Sequence, residues 1–172
     1  MIDKAGHTVS VLSLEKNNLY LQRPEIWDDM LSICGIVDNR ELEGYYNIKT
    51  GFIIQPKFIA AGNFSDNVAI VHGINFVGLI NKQANIIFGN NYIAGSIDKI
   101  VVEKKEPVFI VRAKNKQECG LIDLRGNWII KPIFETLYVT NRNGFLFEAR
   151  DTNTQVYINE NFEIIKINNT AN

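Results

Sequence analysis

The chain has 172 residues, 46% of them apolar, with 18 basic and 19 acidic side chains and a formal net charge of -1. That length suits one domain or one short repeat array with its own core, and the near-neutral balance gives no global drive toward nucleic acid or an anionic membrane. No apolar run approaches the ~18 residues of a membrane span, and residues 1–20 lack the basic start and apolar run of a signal peptide.

In chain order, Met1 to Leu14 reads as a hairpin turning at Ala5-Gly6, with alternation through Val9, Val11 and Leu12. In the next stretch Pro24 is placed to open a helical turn from Glu25 to about Met30, because Ile26, Trp27, Met30, Leu31 and Cys34 fall at helical spacing. Ile33 to Val37 then reads as a strand. Trp27 is either a core anchor or a partner-facing aromatic. Glu25 to Glu43 is the most acidic stretch, with Glu25, Asp28, Asp29, Asp38, Glu41 and Glu43 against a single base, Arg40.

Strands are expected around Tyr45-Tyr46, Phe52–Ile54, Val68–Val71, Phe76–Ile80, Ile86–Phe88, Ile100–Val102 and Pro107–Arg112. The second half adds Gly120–Ile122, Trp128–Ile130, Leu137–Val139, Phe145–Ala149, Tyr157-Ile158 and Phe162–Ile167. These runs are rich in β-branched and aromatic residues, which suit a half-buried pleated surface. The charged loop Lys114–Glu118 is expected to be exposed and Asn168–Asn172 to fray.

One unit recurs. Asn47-Ile-Lys-Thr-Gly-Phe-Ile-Ile-Gln-Pro56 and Asp123-Leu-Arg-Gly-Asn-Trp-Ile-Ile-Lys-Pro132 have equal length, and Phe58 and Phe134 each follow their proline by two residues. Asn81–Phe88 and Asn159–Lys166 are weaker copies, and Asp3–Val9 is a half copy. Each full copy is entered through a similar tripeptide: Gly44-Tyr-Tyr, Gly78-Leu-Ile, Gly120-Leu-Ile or Val156-Tyr-Ile. The period of about 34 to 44 residues belongs to repeat architectures. Asx bonds to nearby backbone and Gly accepts positive φ, so both suit the turn. Proline cannot donate to a ladder and marks a strand end or an edge. Interchange of Asp with Asn at the turn argues for a hydrogen bond there and against an acid or base.

These residues resemble the WG-repeat family, named for a Trp-Gly dipeptide. Gly44, Gly78 and Gly120 match its glycine, while Glu43, Val77 and Cys119 stand where its tryptophan would be; Phe64–Val71 resembles the segment between its hairpins. The resemblance implies repeated β-hairpins and no common catalytic residues. The expected fold is all-β: antiparallel hairpin and meander repeats of about three strands each, stacked in one array, with at most one short helix near residues 24–31. One domain, 1–172, would hold approximate repeats 1–43, 44–77, 78–119, 120–155 and 156–167.

Catalytic patterns are scarce. His7 and His72 lie in no metal-ligand spacing, and no phosphate-loop or nucleophile-elbow motif occurs. Cys34 and Cys119 sit in apolar runs without a cysteine neighbour, which reads as buried free thiols in a reducing, cytoplasmic setting. No catalytic residue, cofactor or metal is expected, and neither nucleic acid nor membrane as a partner. The expected function is non-catalytic protein binding, most concretely an immunity-type inhibitor that masks a basic toxin domain. Its partner-facing residues would be Glu25, Trp27, Asp28, Asp29, Glu41 and Glu43, since clustered charge speeds encounter with the opposite sign. The alternative is a cell-envelope or carbohydrate-binding fragment of a larger repeat protein.

Overall fold

The structure is a computed structural model and describes residues 14, 17–89, 94–102, 105–113, 118–140, 144–151 and 154–166. The hairpin and half repeat expected before Leu14, most of the charged loop, and the C-terminal residues lie outside these. The chain divides into two compact units, Met1–Asn90 and Asn91–Asn172.

Each unit holds two four-stranded antiparallel sheets in which sequential strands are neighbours. In the first unit, one sheet is β1 (Leu19–Trp27), β2 (Met30–Val37), β3 (Arg40–Asn47) and β4 (Ile53–Phe58). The second sheet is β5 (Ala60–Ala61), β6 (Val68–His72), β7 (Val77–Asn81) and β8 (Ile86–Phe88). In the second unit, the third sheet is β9 (Ala94–Ile100), β10 (Val108–Ala113), β11 (Cys119–Ile122) and β12 (Trp128–Phe134). The fourth is β13 (Thr136–Val139), β14 (Phe145–Asp151), β15 (Thr154–Asn159) and β16 (Ile164–Lys166). The all-β expectation holds; where about three strands per repeat were expected, the strands gather in sheets of four. The sequence repeat is out of phase with the sheets: its Gly-to-Pro hairpin forms the last two strands of one sheet, and the segment after it forms the first two of the next.

The helical turn expected near residues 24–31 is a β-hairpin instead. Trp27 pairs with Met30 and Ile26 with Leu31. Asp28 and Asp29 both take positive φ, 56° and 67°, which makes the two-residue turn whose twist matches the flanking strands and excludes a right-handed helix. Pro24 falls in the register break between Leu21 and Ile26 on this edge strand, where its missing N–H costs no ladder bond. Asp38-Asn39 and Asp66-Asn67 repeat the same backbone.

In all four Asx turns the side-chain oxygen accepts two backbone amides; Asn81, Asp123 and Asn159 take those at i+2 and i+4, while the Asn47 turn is one residue longer and takes i+2 and i+3. The side-chain Oδ1 of Asn47 accepts the amides of Lys49 and Thr50 at 3.0 Å. Asn81 accepts those of Gln83 and Asn85, Asp123 those of Arg125 and Asn127, and Asn159 those of Asn161 and Glu163. The left-handed position falls on Gly51 and Gly126, but also on Ala84 and Phe162. The weaker copies therefore adopt the turn of Asp123, at a steric cost of about 1–2 kcal/mol.

The glycine of the repeat has a separate reason. A Cβ on Gly120 would lie 2.6 Å from the Ile130 carbonyl oxygen, 2.8 Å from Pro132 N and 2.8 Å from the Trp128 ring. One on Gly44 would meet the Ile54 carbonyl oxygen and Pro56 N in the same way. Opposite each glycine the fourth strand bulges inward: Tyr45 pairs with Ile54 and Glu43 with Phe58, as Leu121 pairs with Ile130 and Cys119 with Phe134. The bulge delivers Phe58 and Phe134 into the core, where both are buried.

The cores lie between sheets. Tyr45, Ile54 and Phe58 of the first sheet pack with Phe64, Ala69, Val71 and Ile80; the opposite face of that sheet gathers Leu14, Leu19, Leu31, Ile33 and Tyr46. In the second unit Ile110, Leu121, Ile130 and Phe134 meet Leu137, Phe147, Ala149, Val156 and Ile158. Phe147 is fully buried while Phe145 and Trp128 are only partly buried. Ile53 and Ile164 occupy matching places in the repeat and stand opposite Tyr46 and Ile158. Ile129 falls in the bulge between Trp128 and Ile130 and pairs with neither strand position.

Candidate protein-binding site

The acidic residues all belong to the first sheet, but strand geometry divides them. Asp28 and Asp29 sit at one end of β2 and Asp38 at the other. The strand spans Met30–Val37, on the order of 24 Å at ~3.4 Å per residue. Glu41 stands opposite Ile36 near the Asp38 end, and Glu43 opposite Cys34 in mid-strand. The structure therefore brings together Trp27, Asp28 and Asp29, with Glu25 exposed on the approach to them. It does not bring Glu41 and Glu43 to that end.

At the Asp28-Asp29 end, turns from both sheets of the unit interlock. Asp28 Oδ2 accepts the Asn67 amide at 2.7 Å, and its other oxygen lies 3.2 Å from Lys82 Nζ. Asp29 meets Lys49 at 3.0 Å and Lys82 at 3.9 Å, and its carbonyl accepts the Ile48 amide at 3.0 Å. The Lys82 side chain is only 16% exposed, so its partners are partly desolvated and the bridge couples more strongly than a surface pair. These two carboxylates join the β1–β2 turn to the second sheet and are already neutralised. Trp27, next to Asp28 in the chain, is 48% exposed, and Phe52, which closes the Asn47 turn, is 47% exposed.

The other two acids have different tasks. Glu43 stands where the family tryptophan would be, and its carboxylate accepts the Ala61 amide at 2.6 Å and the Gln22 side-chain amide. It thus links the first sheet to the first strand of the second. Cys119, at the same repeat position in the second unit, lies 3.6 Å from the Glu135 carbonyl beside β13. Glu41 is exposed and accepts a hydrogen bond from the Tyr20 hydroxyl. That bond, with burial and the Glu41 charge, raises the Tyr20 hydroxyl to about 12. Burial, with Glu43 and Glu41 adding to it, pushes the Cys34 thiol up to about 11. Cys34 and Cys119 are buried and free, and burial raises Cys119 as well, so neither is an activated thiolate.

Among the described residues no three His, Cys, Asp or Glu side chains gather as a metal group, and no helix is long and apolar enough to cross a membrane. Helical spacing concealed the hairpin that exposes Trp27, although consecutive Asx residues at 28–29, 38–39 and 66–67 were a readable signal for it. Phe52, expected at the start of a strand, closes the turn instead: its carbonyl accepts the Asn47 amide at 2.8 Å and β4 begins one residue later.

The family model described as WG containing repeat matches residues 44–71 and 120–147. Each match begins in the third strand of a sheet and runs into the second strand of the next, so the repeat unit is the junction between two sheets. Comparison with curated proteins and with solved structures gives no match.

Proposed function

This chain is a member of the WG-repeat family, and on that premise we propose that it is a non-catalytic protein-binding module. In its most concrete form it is an immunity-type inhibitor that masks a basic toxin domain in the cytoplasm. The observation that carries the reading is the pair of exposed aromatics, Trp27 and Phe52, on a rim braced by Asp28, Asp29, Lys49 and Lys82. Aromatic side chains held on a rigid base supply much of the energy at interface centres. Their burial by a partner would recover ~25 cal/mol per Å² of apolar surface.

The test is affinity purification from the source cell with the wild-type chain and with Trp27→Ala. A partner retained by the first and lost by the second, with an unchanged melting temperature, supports the reading. Equal retention would remove Trp27 from it.

Carbohydrate binding has one observation in its favour. On the fourth sheet Tyr138 and Gln155 both donate to the buried carboxylate of Glu148, and Phe145 and Tyr157 stack with centroids 5.1 Å apart. Aromatic rings beside a carboxylate and an amide suit a sugar's apolar face and hydroxyls. Titration with soluble oligosaccharides separates the two readings, since only this one expects a response from Tyr157→Ala.

A further inference from the structure

We propose that the end of the first sheet opposite Trp27, carrying Tyr20, Ile36 and Glu41, is a docking surface for a protein segment in which aliphatic side chains are flanked by lysine or arginine. The proposal rests on the protein-binding reading and deepens it, naming which of the expected partner-facing acids forms the contact and what segment it would take.

Pairing places Ile36 opposite Glu41, Cys34 opposite Glu43, and Tyr20 opposite Cys34. Residues opposite one another, or two apart on a strand, share a face, so these five residues lie on one side of the sheet. Cys34 is buried, but Ile36 is 63% exposed and Tyr20 43%. The apolar part of the surface is therefore an isoleucine and a tyrosine ring standing free in solvent.

Asp28 and Asp29 are neutralised by lysines at the other end of the sheet. Among the described residues Glu41 and Glu43 have only neutral donors: Tyr20 for the first, Gln22 and the Ala61 amide for the second. Arg40 neighbours Glu41 in the strand and so projects to the opposite face. Arg23 lowers the Cys34 thiol where the two glutamates raise it, so among the described residues two carboxylates and one guanidinium act on that thiol. Both carboxylates raise the Cys34 thiol, the expected effect of a local negative field. A basic side chain would meet that field while its aliphatic neighbour covers Ile36 and the Tyr20 ring, combining apolar anchoring with electrostatic steering.

The probe is a fluorescein-labelled peptide alternating Lys with Ile and Leu, compared with the same peptide carrying Glu for Lys. Fluorescence polarisation and amide-resolved NMR are read on the full chain. The basic peptide is expected to bind at least about tenfold more tightly, less so at high salt, and to shift the amides of Tyr20, Ile36 and Glu41. Glu41→Lys and Ile36→Asp should each weaken it about tenfold or more. Ile133→Asp, at another exposed isoleucine, in the other unit, should not. Both tested residues are exposed, and a thermal melt confirms that each variant folds. Equal binding of the two peptides, or no binding at millimolar concentration, overturns the proposal. Shifts confined to Trp27 and Phe52 overturn it while leaving the protein-binding reading in place.

Discussion

Asp123 shows how much a single turn residue decides. Burial pushes its carboxyl up, but the hydrogen bonds from Asn127 and Arg125, with the Arg125 charge, outweigh that and hold it below the ordinary carboxylate range. A depressed folded-state value means that the stabilisation is complete above the unfolded value of about 4. It is lost as pH falls through the lower, folded value. Asn occupies this position in three other turns, so Asp123→Asn should keep the turn and flatten the acid limb of a stability–pH profile. Asp123→Ala removes the acceptor of two backbone amides and should cost about 1–3 kcal/mol, read as a shift in the urea midpoint. An acid limb unchanged in Asp123→Asn would show that other carboxylates set it.

Between strands, the decisive contact is the close approach of the bulged fourth strand to the repeat glycine. Gly120→Ala places a methyl group 2.6 Å from a backbone oxygen, and backbone cannot swing aside as a side-chain tip can. Overpacking of this kind costs about 1–3 kcal/mol, whereas Gly51→Ala meets no atom and suffers only from its positive φ. Thermal melts should therefore show the larger loss for Gly120→Ala. The β1–β2 hairpin makes a second case. Reversing Asp28 and Asp29 to Lys sets two cations against the shielded Lys82 and removes the acceptor of the Asn67 amide. The double variant should lose stability, not merely association rate; an unchanged melting temperature would free these acids for docking.

For the whole molecule, the chain's local signals stop where sheets meet. Alternation, Asx-Gly turns and Pro-x-Phe tails were enough to recognise an all-β repeat, because each reports a short-range backbone requirement: a hydrogen bond to a neighbouring amide, a positive φ, a missing donor. The frame of the repeat was legible for the same reason. Its offset from the sheets was not, since a hairpin's sequence does not say which strands join it on either side. Helical spacing at Ile26, Met30 and Cys34 was equally compatible with a strand pair, and two left-handed aspartates settled it. The acidic stretch was visible as composition, but its division was decided in three dimensions. Only there do Lys49 and Lys82 reach Asp28 and Asp29, and only there does Glu43 turn inward to the Ala61 amide while Glu41 remains at the surface. Charge along a chain is a local property; which charges are already satisfied depends on partners brought close by packing between sheets.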